Sequence, residues 1–193
     1  RRLGSGGQGV VFLTTRKGTD GFTLPVALKI FSPERYESEA RYSAAMEGIA
    51  QVSAQVAQIQ QDNLLDVQNF VEQRQIRIME MEWIDGYDLS RLLAPDLLEK
   101  TRERVTASRW EYLNNVIVTP GSRQSRLKPG VAIAIVRECL AALAALHRAN
   151  ILHGDIKSSN IMVKRTGNAK IIDIGSAVTL ETAPSQRTCT PAY

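Results

Sequence analysis

Only two cysteines occur in the sequence, Cys139 and Cys189, and they lie too far apart to form a metal or redox motif. They are expected to be reduced thiols in a cytoplasmic protein rather than part of a disulfide framework. No run approaches the roughly 18 consecutive apolar residues of a membrane span, so no membrane segment is expected within this chain. The net charge of +4 is small for 193 residues, and no nucleic-acid partner is expected. Much of that charge sits in residues 95–128, with seven Lys or Arg against four Asp or Glu, which reads as a solvated insertion. Internal repeats and low-complexity tracts are absent. The first residue is Arg1, not methionine, which leaves open a leader or anchor ahead of it. A hydrophobic content of 44% is ordinary for a globular protein of one or two small domains.

What the sequence has is concentrated in residues 153–175, HGDIKSSNIMVKRTGNAKIIDIG. Asp155, Lys157 and Asn160 fall in one short loop, and a second aspartate, Asp173, follows Asp155 by eighteen residues. Between them, Ile161–Val163 and Lys170–Ile172 read as short strands joined by a turn at Thr166–Gly167–Asn168. A hairpin of that length returns its ends to one place, so Asp155, Asn160 and Asp173 converge. Two carboxylates and an amide oxygen suit Mg²⁺, a hard cation that takes oxygen ligands and substrate phosphates.

A second group lies near the start. Gly4, Gly6 and Gly9 form a G-x-G-x-x-G-x-V pattern ending at Val11, followed by an apolar strand, Val10–Leu13. Val26–Ile30 is another strand, carrying Lys29 between apolar neighbours. Glycines let a backbone approach a ligand closely, so its N–H groups can cover phosphate oxygens. A dinucleotide-binding fold needs a helix directly after such glycines. Here strands flank them, which points to a lid over a nucleotide.

Strand patterns at Val10–Leu13, Thr23–Ile30, Leu65–Val71 and Ile76–Met81 predict an antiparallel sheet. Ser32-Pro33-Glu34 predicts a helix start, with Ser32 as cap and Pro33 at the first helical position. Tyr42, Met46, Ile49, Val52, Val56 and Ile59 then mark one apolar face of a long helix. Asp88–Leu93 predicts a short helix, and Pro129-Gly130 opens a longer one over Val131–His147.

The motifs GSGGQGVV, VALK, HGDxxxxN and DIG, in that order, resemble the protein kinase family from the first residue to the last. The resemblance implies an α+β fold of two lobes. Residues 1–83 would form a nucleotide-binding lobe with an antiparallel sheet and one long helix. Residues 84–193 would form part of a mainly helical lobe, truncated at its C-terminus because the family's domains continue further. It implies ATP as phosphate donor, Mg²⁺, and Ser/Thr hydroxyls of proteins as acceptors. Lys29 would reach the α- and β-phosphates, beneath a lid that includes Leu3, Gly4, Gly6 and Gly9. A helix glutamate would pair with Lys29: Glu47 by family spacing, or Glu39 by alignment with the apolar face. Asp155 would orient the acceptor hydroxyl, Lys157 would sit on the transferring phosphate, and Asn160 and Asp173 would hold the metal. Val11, Ala27 and Met162 would enclose the adenine. Met81 would line the back of its pocket, and Glu82 and Ile84 would offer hinge backbone groups. His153 would be structural, packing against the residue after Asp173.

Three departures from the family pattern stand out. Gly154 replaces the arginine that usually binds an activation-loop phosphate, although Thr179, Thr182, Ser185 and Thr188 remain modifiable. Ile174 replaces a phenylalanine with a smaller apolar plug. Gln8 stands at the loop tip where an aromatic is common, which suggests a looser lid. Two rivals are a small-molecule kinase of the aminoglycoside or choline type, and a pseudokinase-like interaction module. Lys157, the glycine loop and Thr190-Pro191-Ala192-Tyr193 oppose the first. Intact Lys29, Asp155, Asn160 and Asp173 oppose the second.

Overall fold

The computed structural model describes residues 1–121 and 124–180. Five strands, β1 (Arg2–Gly6), β2 (Gly9–Lys17), β3 (Thr23–Phe31), β4 (Val67–Gln73) and β5 (Ile76–Glu82), form an antiparallel sheet ordered β1-β2-β3-β5-β4. The four predicted strands are present; the strand β1 ahead of the glycine turn was not anticipated. In central β3, Ala27, Lys29 and Phe31 are buried at the two-residue period of a strand face. Register places Val11 opposite Lys29 and Met81 opposite Ala27, so these side chains share one face.

Between β3 and β4 runs α1 (Glu39–Val56), burying Tyr42, Met46, Val52 and Val56. The Tyr42 hydroxyl fixes it to the sheet, donating to the Phe31 carbonyl at 3.2 Å and accepting from the Arg77 N–H at 2.8 Å. The predicted start at Ser32 is corrected. Pro33–Arg35 make only a 3₁₀ turn, uncapped by the Ser32 side chain, and extended Tyr36 ends it. The effective cap is Ser38, whose hydroxyl accepts from the Arg41 N–H.

The second half is mainly helical. It comprises β6 (Gly86–Asp88), α2 (Leu89–Leu93), α3 (Pro95–Arg102), α4 (Ala107–Tyr112), β7 (Val118–Thr119), β8 (Arg126–Leu127), α5 (Pro129–Arg148), β9 (Ile151–Leu152), β10 (Ile161–Lys164), β11 (Ala169–Ile171) and β12 (Val178–Thr179). Strands β11, β10 and β6 form one small sheet. Residues 63–65 stitch the halves together: the Leu65 N–H donates to the Ile171 carbonyl at 2.9 Å, and the Ile171 N–H to the Asn63 carbonyl at 2.8 Å.

The stretch 95–128 is not a solvated insertion. Leu98 of α3, Leu113 and Ile117 of a π-helical turn over Leu113–Ile117, and Val118 of β7 are buried in the core, with Trp110 and Tyr112 of α4 packed against it. Lys100, Arg102, Arg104 and Arg126 are exposed, and half-buried Arg109 stacks over the rings of Tyr87 and Tyr112. Helix α5 buries Ile135, Cys139, Ala142, Ala145 and Leu146. It is long and apolar enough, by length and composition, to cross a membrane, contrary to the expectation of no such segment. Its contacts with β9 and β11 also give it the place of a core helix.

Candidate active site

The hairpin β10–β11 pairs Ile161 with Ile171, and the pairing extends one step further where the Ile172 N–H donates to the Asn160 carbonyl at 2.8 Å. That bond brings Asn160 beside the residue preceding Asp173. Asn160 is buried, and its amide nitrogen donates to both the backbone carbonyl of Asp155 (2.8 Å) and its carboxylate (3.0 Å). The Lys157 ammonium meets the same carboxylate at 2.8 Å. Asp155, Lys157, Asn160 and Asp173 therefore gather as their spacing predicts.

His153 holds this loop from beneath. Only 2% exposed, it donates from Nε2 to the Ile172 carbonyl (3.1 Å) and accepts the Asp155 N–H at Nδ1 (3.3 Å). Burial lowers its pKa from the ordinary histidine value; the Ile172 hydrogen bond and the carboxylates of Asp173 and Asp155 oppose that shift without cancelling it. A neutral ring with both nitrogens committed is a strut, as expected. Its bond is to the residue before Asp173, where packing on the residue after was anticipated. Gly154, at φ 78°, provides the left-handed turn between strut and carboxylate.

Asp173 itself adopts a left-handed conformation, φ 63° and ψ 72°. Its Oδ1 accepts from the Lys29 ammonium at 2.5 Å and from the Gly175 N–H at 3.3 Å. The second oxygen, Oδ2, has no hydrogen bond among the described residues. Ile174 is buried and fills the plug position. Lys29 is 6% exposed. A buried ammonium is costly unless paired, and here Asp173 and Gln8 pair it.

The expected helix glutamate does not reach Lys29. Glu47 and Glu39 are both exposed on α1, because the helix turns Tyr42, Met46, Val52 and Val56 toward the protein instead. Gln8 takes a place that sequence reasoning gave to a loose tip: its Oε1 accepts from Lys29 at 2.9 Å and its Nε2 donates to the Gly175 carbonyl at 2.7 Å. Nothing in the sequence marks that contact, which joins residues 167 positions apart.

Above the site, Gly6 and Gly9 close the β1–β2 turn. Gly4 and Gly6 face open space, whereas a Cβ on Gly9 would stand 2.0 Å from the Ile30 carbonyl oxygen. Leu3 is exposed on β1, Val11 and Met162 are half-buried, and Ala27, Met81 and Ile84 are buried. Glu82 is committed by its side chain to a second buried lysine, Lys170, and to the Asp66 N–H. Its own N–H donates to the Asp66 carbonyl. Thr179 is half-buried in β12; Thr182, Ser185, Thr188, Cys189 and the Thr190–Tyr193 segment lie outside the described residues.

A protein kinase domain family model matches residues 1–193. The chain is 29% identical over 179 residues to the serine/threonine-protein kinase PknD of Mycobacterium tuberculosis, covering 92% of this chain and 21% of that protein. It is 26% identical over 194 residues to a probable serine/threonine-protein kinase of Dictyostelium discoideum, covering 97% and 24%. Over 77 residues it is 36% identical to the serine/threonine-protein kinase pak-1 of Caenorhabditis elegans, covering 40% and 13%. The chain thus spans a quarter or less of the length of these relatives.

Proposed function

This chain belongs to the protein kinase domain family, and from that membership we propose that it transfers the terminal phosphate of ATP to serine or threonine hydroxyls of proteins. ATP as substrate and a divalent metal go with the family; the assignment of Mg²⁺ is ours. The observation that carries the reading is the meeting of Lys29, from the sheet, with Asp173, from the far end of the β10–β11 hairpin. One cation and one anion from opposite sides of a cleft, beside a second such pair in Lys157 and Asp155, suit a metal-bound polyphosphate.

The donor atoms fit Mg²⁺. Asn160 spends both amide hydrogens on Asp155, which leaves its oxygen for a cation. Asp173 keeps Oδ2 uncommitted within the described residues, and oxygen ligands completed by phosphates are what Mg²⁺ takes. When bound, the ion neutralises phosphate charge. Asp155, held by Asn160 and Lys157, accepts the proton of the acceptor hydroxyl. Lys157 then lies beside the hydroxyl and the phosphoryl group it receives. Lys29 holds the nucleotide phosphates, and Gly4 and Gly6 leave room for them beneath the lid. Leu3, Val11, Ala27, Met81 and Met162 form the base pocket, with backbone groups of Glu82 and Ile84 on its edge. We read residues 1–83 as the nucleotide lobe and 84–193 as the catalytic one, working in the cytoplasm.

Replacing Asp155 with alanine should lower phosphate transfer to a protein substrate by about 10²–10⁴ and leave ATP binding, by calorimetry, nearly unchanged. Normal transfer by that variant, or label passing to small hydroxyl compounds and to no protein, refutes the reading.

A further inference from the structure

A lysine ammonium has three N–H donors. In Lys29, one goes to Asp173 and another to the Gln8 carboxamide oxygen, 2.9 Å away. The same carboxamide donates from its nitrogen to the Gly175 carbonyl at 2.7 Å. The amide orientation is forced, since turning it over would set an NH₂ against an ammonium and an oxygen against a carbonyl.

Two further features accompany this contact. A Cβ on Gly175 would lie 2.0 Å from Gln8 Oε1 and 2.7 Å from Lys29 Nζ, so the bare glycine lets both side-chain ends meet where they do. From outside, the Arg35 guanidinium donates to the carbonyls of Gly6 (2.5 Å) and Gly7 (3.0 Å), holding the tip down over the cleft. The exposed carboxylates Glu39 and Glu47 leave Lys29 without a partner from α1.

We propose that Gln8 is a positioning residue for phosphoryl transfer: its carboxamide sets the Lys29 ammonium and locks the closed glycine loop to the Asp173–Gly175 segment. The proposal rests on the kinase reading above. It makes lid closure, lysine placement and the metal-binding aspartate one hydrogen-bonded unit, with the loop doing what α1 does not.

The test compares Gln8→Met, which keeps size and removes both hydrogen bonds, with Gln8→Glu, which keeps the acceptor for Lys29 and loses the donor to Gly175. Each is made in the full chain. Acylation of Lys29 by a limiting amine-reactive ester, read by mass spectrometry, is measured beside kcat and KM for ATP. Gln8→Met should lower kcat roughly 10- to 100-fold through misplacement, leave thermal stability unchanged and make Lys29 acylate faster. Gln8→Glu should restore protection of Lys29 and recover part of kcat. Unchanged kcat and unchanged acylation in Gln8→Met overturn the proposal. So does tighter ATP binding with undiminished kcat, which would make Gln8 a plug that nucleotide displaces. If the unaltered chain transfers no phosphate, the kinase reading falls, while the acylation pattern still decides whether Gln8 holds Lys29.

Discussion

Gly6 and Gly9 sit at opposite ends of one tight turn and answer to different demands. Gly9 lies against β3, where a methyl group would press on the Ile30 carbonyl, a backbone atom that cannot swing aside. Gly9→Ala should therefore cost about 1–3 kcal/mol as an overpacking change, seen as a lower denaturant midpoint. Gly6→Ala meets open space and should leave stability unchanged or slightly raised while weakening ATP binding. Equal stability losses in both would show that the two glycines serve packing alone. His153 sets a pH dependence of its own. Its folded pKa lies below the 6.5 of an exposed histidine, so the unfolded chain takes up the proton first. Stability should hold steady above about pH 6.5 and fall as pH drops from there through the lower folded value. His153→Gln should flatten that slope in denaturant titrations between pH 5 and 8. At this scale the sequence was legible where chemistry forced a residue type: Asp155, Asn160 and Asp173 converge as spacing implied. It misjudged Gln8 as a loose tip and was silent on Lys170, because their partners are supplied by folding across 167 and 88 positions.

Among the elements, those with a clear period or turn could be read before folding, and those set by packing could not. The β10–β11 hairpin follows from two short strands about the Thr166–Gly167–Asn168 turn, and α5 from the apolar stretch Val131–His147 opened by Pro129-Gly130. The helix start was misread because Ser32-Pro33 and Ser38-Glu39 carry equally good local signals. What decides between them is tertiary: Arg35 reaches the glycine loop and Tyr36 packs edge-on to Tyr42, which draws that turn away from the helix axis. Residues 95–128 misled through composition, since seven cations conceal the spacing of Leu98, Leu113 and Ile117. Leu113 is 1% exposed in the core. Leu113→Ala should accordingly cost about 2–4 kcal/mol in chemical denaturation, where a solvated insertion would give almost no change. The Gly167 turn of the catalytic hairpin comes close to Tyr112, where an added Cβ would lie 2.9 Å from the hydroxyl. Loss of Leu113 should thus also loosen the hairpin that carries Asn160.

At the scale of the molecule, two ties hold the cleft: Lys29 with Asp173 inside it, and Lys170 with Glu82 behind it. The second joins the end of β5 to the strand leading into Asp173, and the Leu64 carbonyl accepts a further hydrogen bond from the ammonium at 3.1 Å. Helix α5 supports that strand on one face and presents another to solvent. Ile133, Val136 and Leu140 recur at helical spacing and are 71%, 58% and 59% exposed. An apolar stripe of this kind is open to further packing. Changing all three to glutamine, a good helix former, should leave the thermal midpoint of this chain unchanged in calorimetry. Leu146 on the opposite face is fully buried, and Leu146→Gln should unfold the chain by placing an unpaired amide in the core. If the triple variant lost as much stability as Leu146→Gln, the stripe would belong to the folded core, and the packing described for α5 would be wrong.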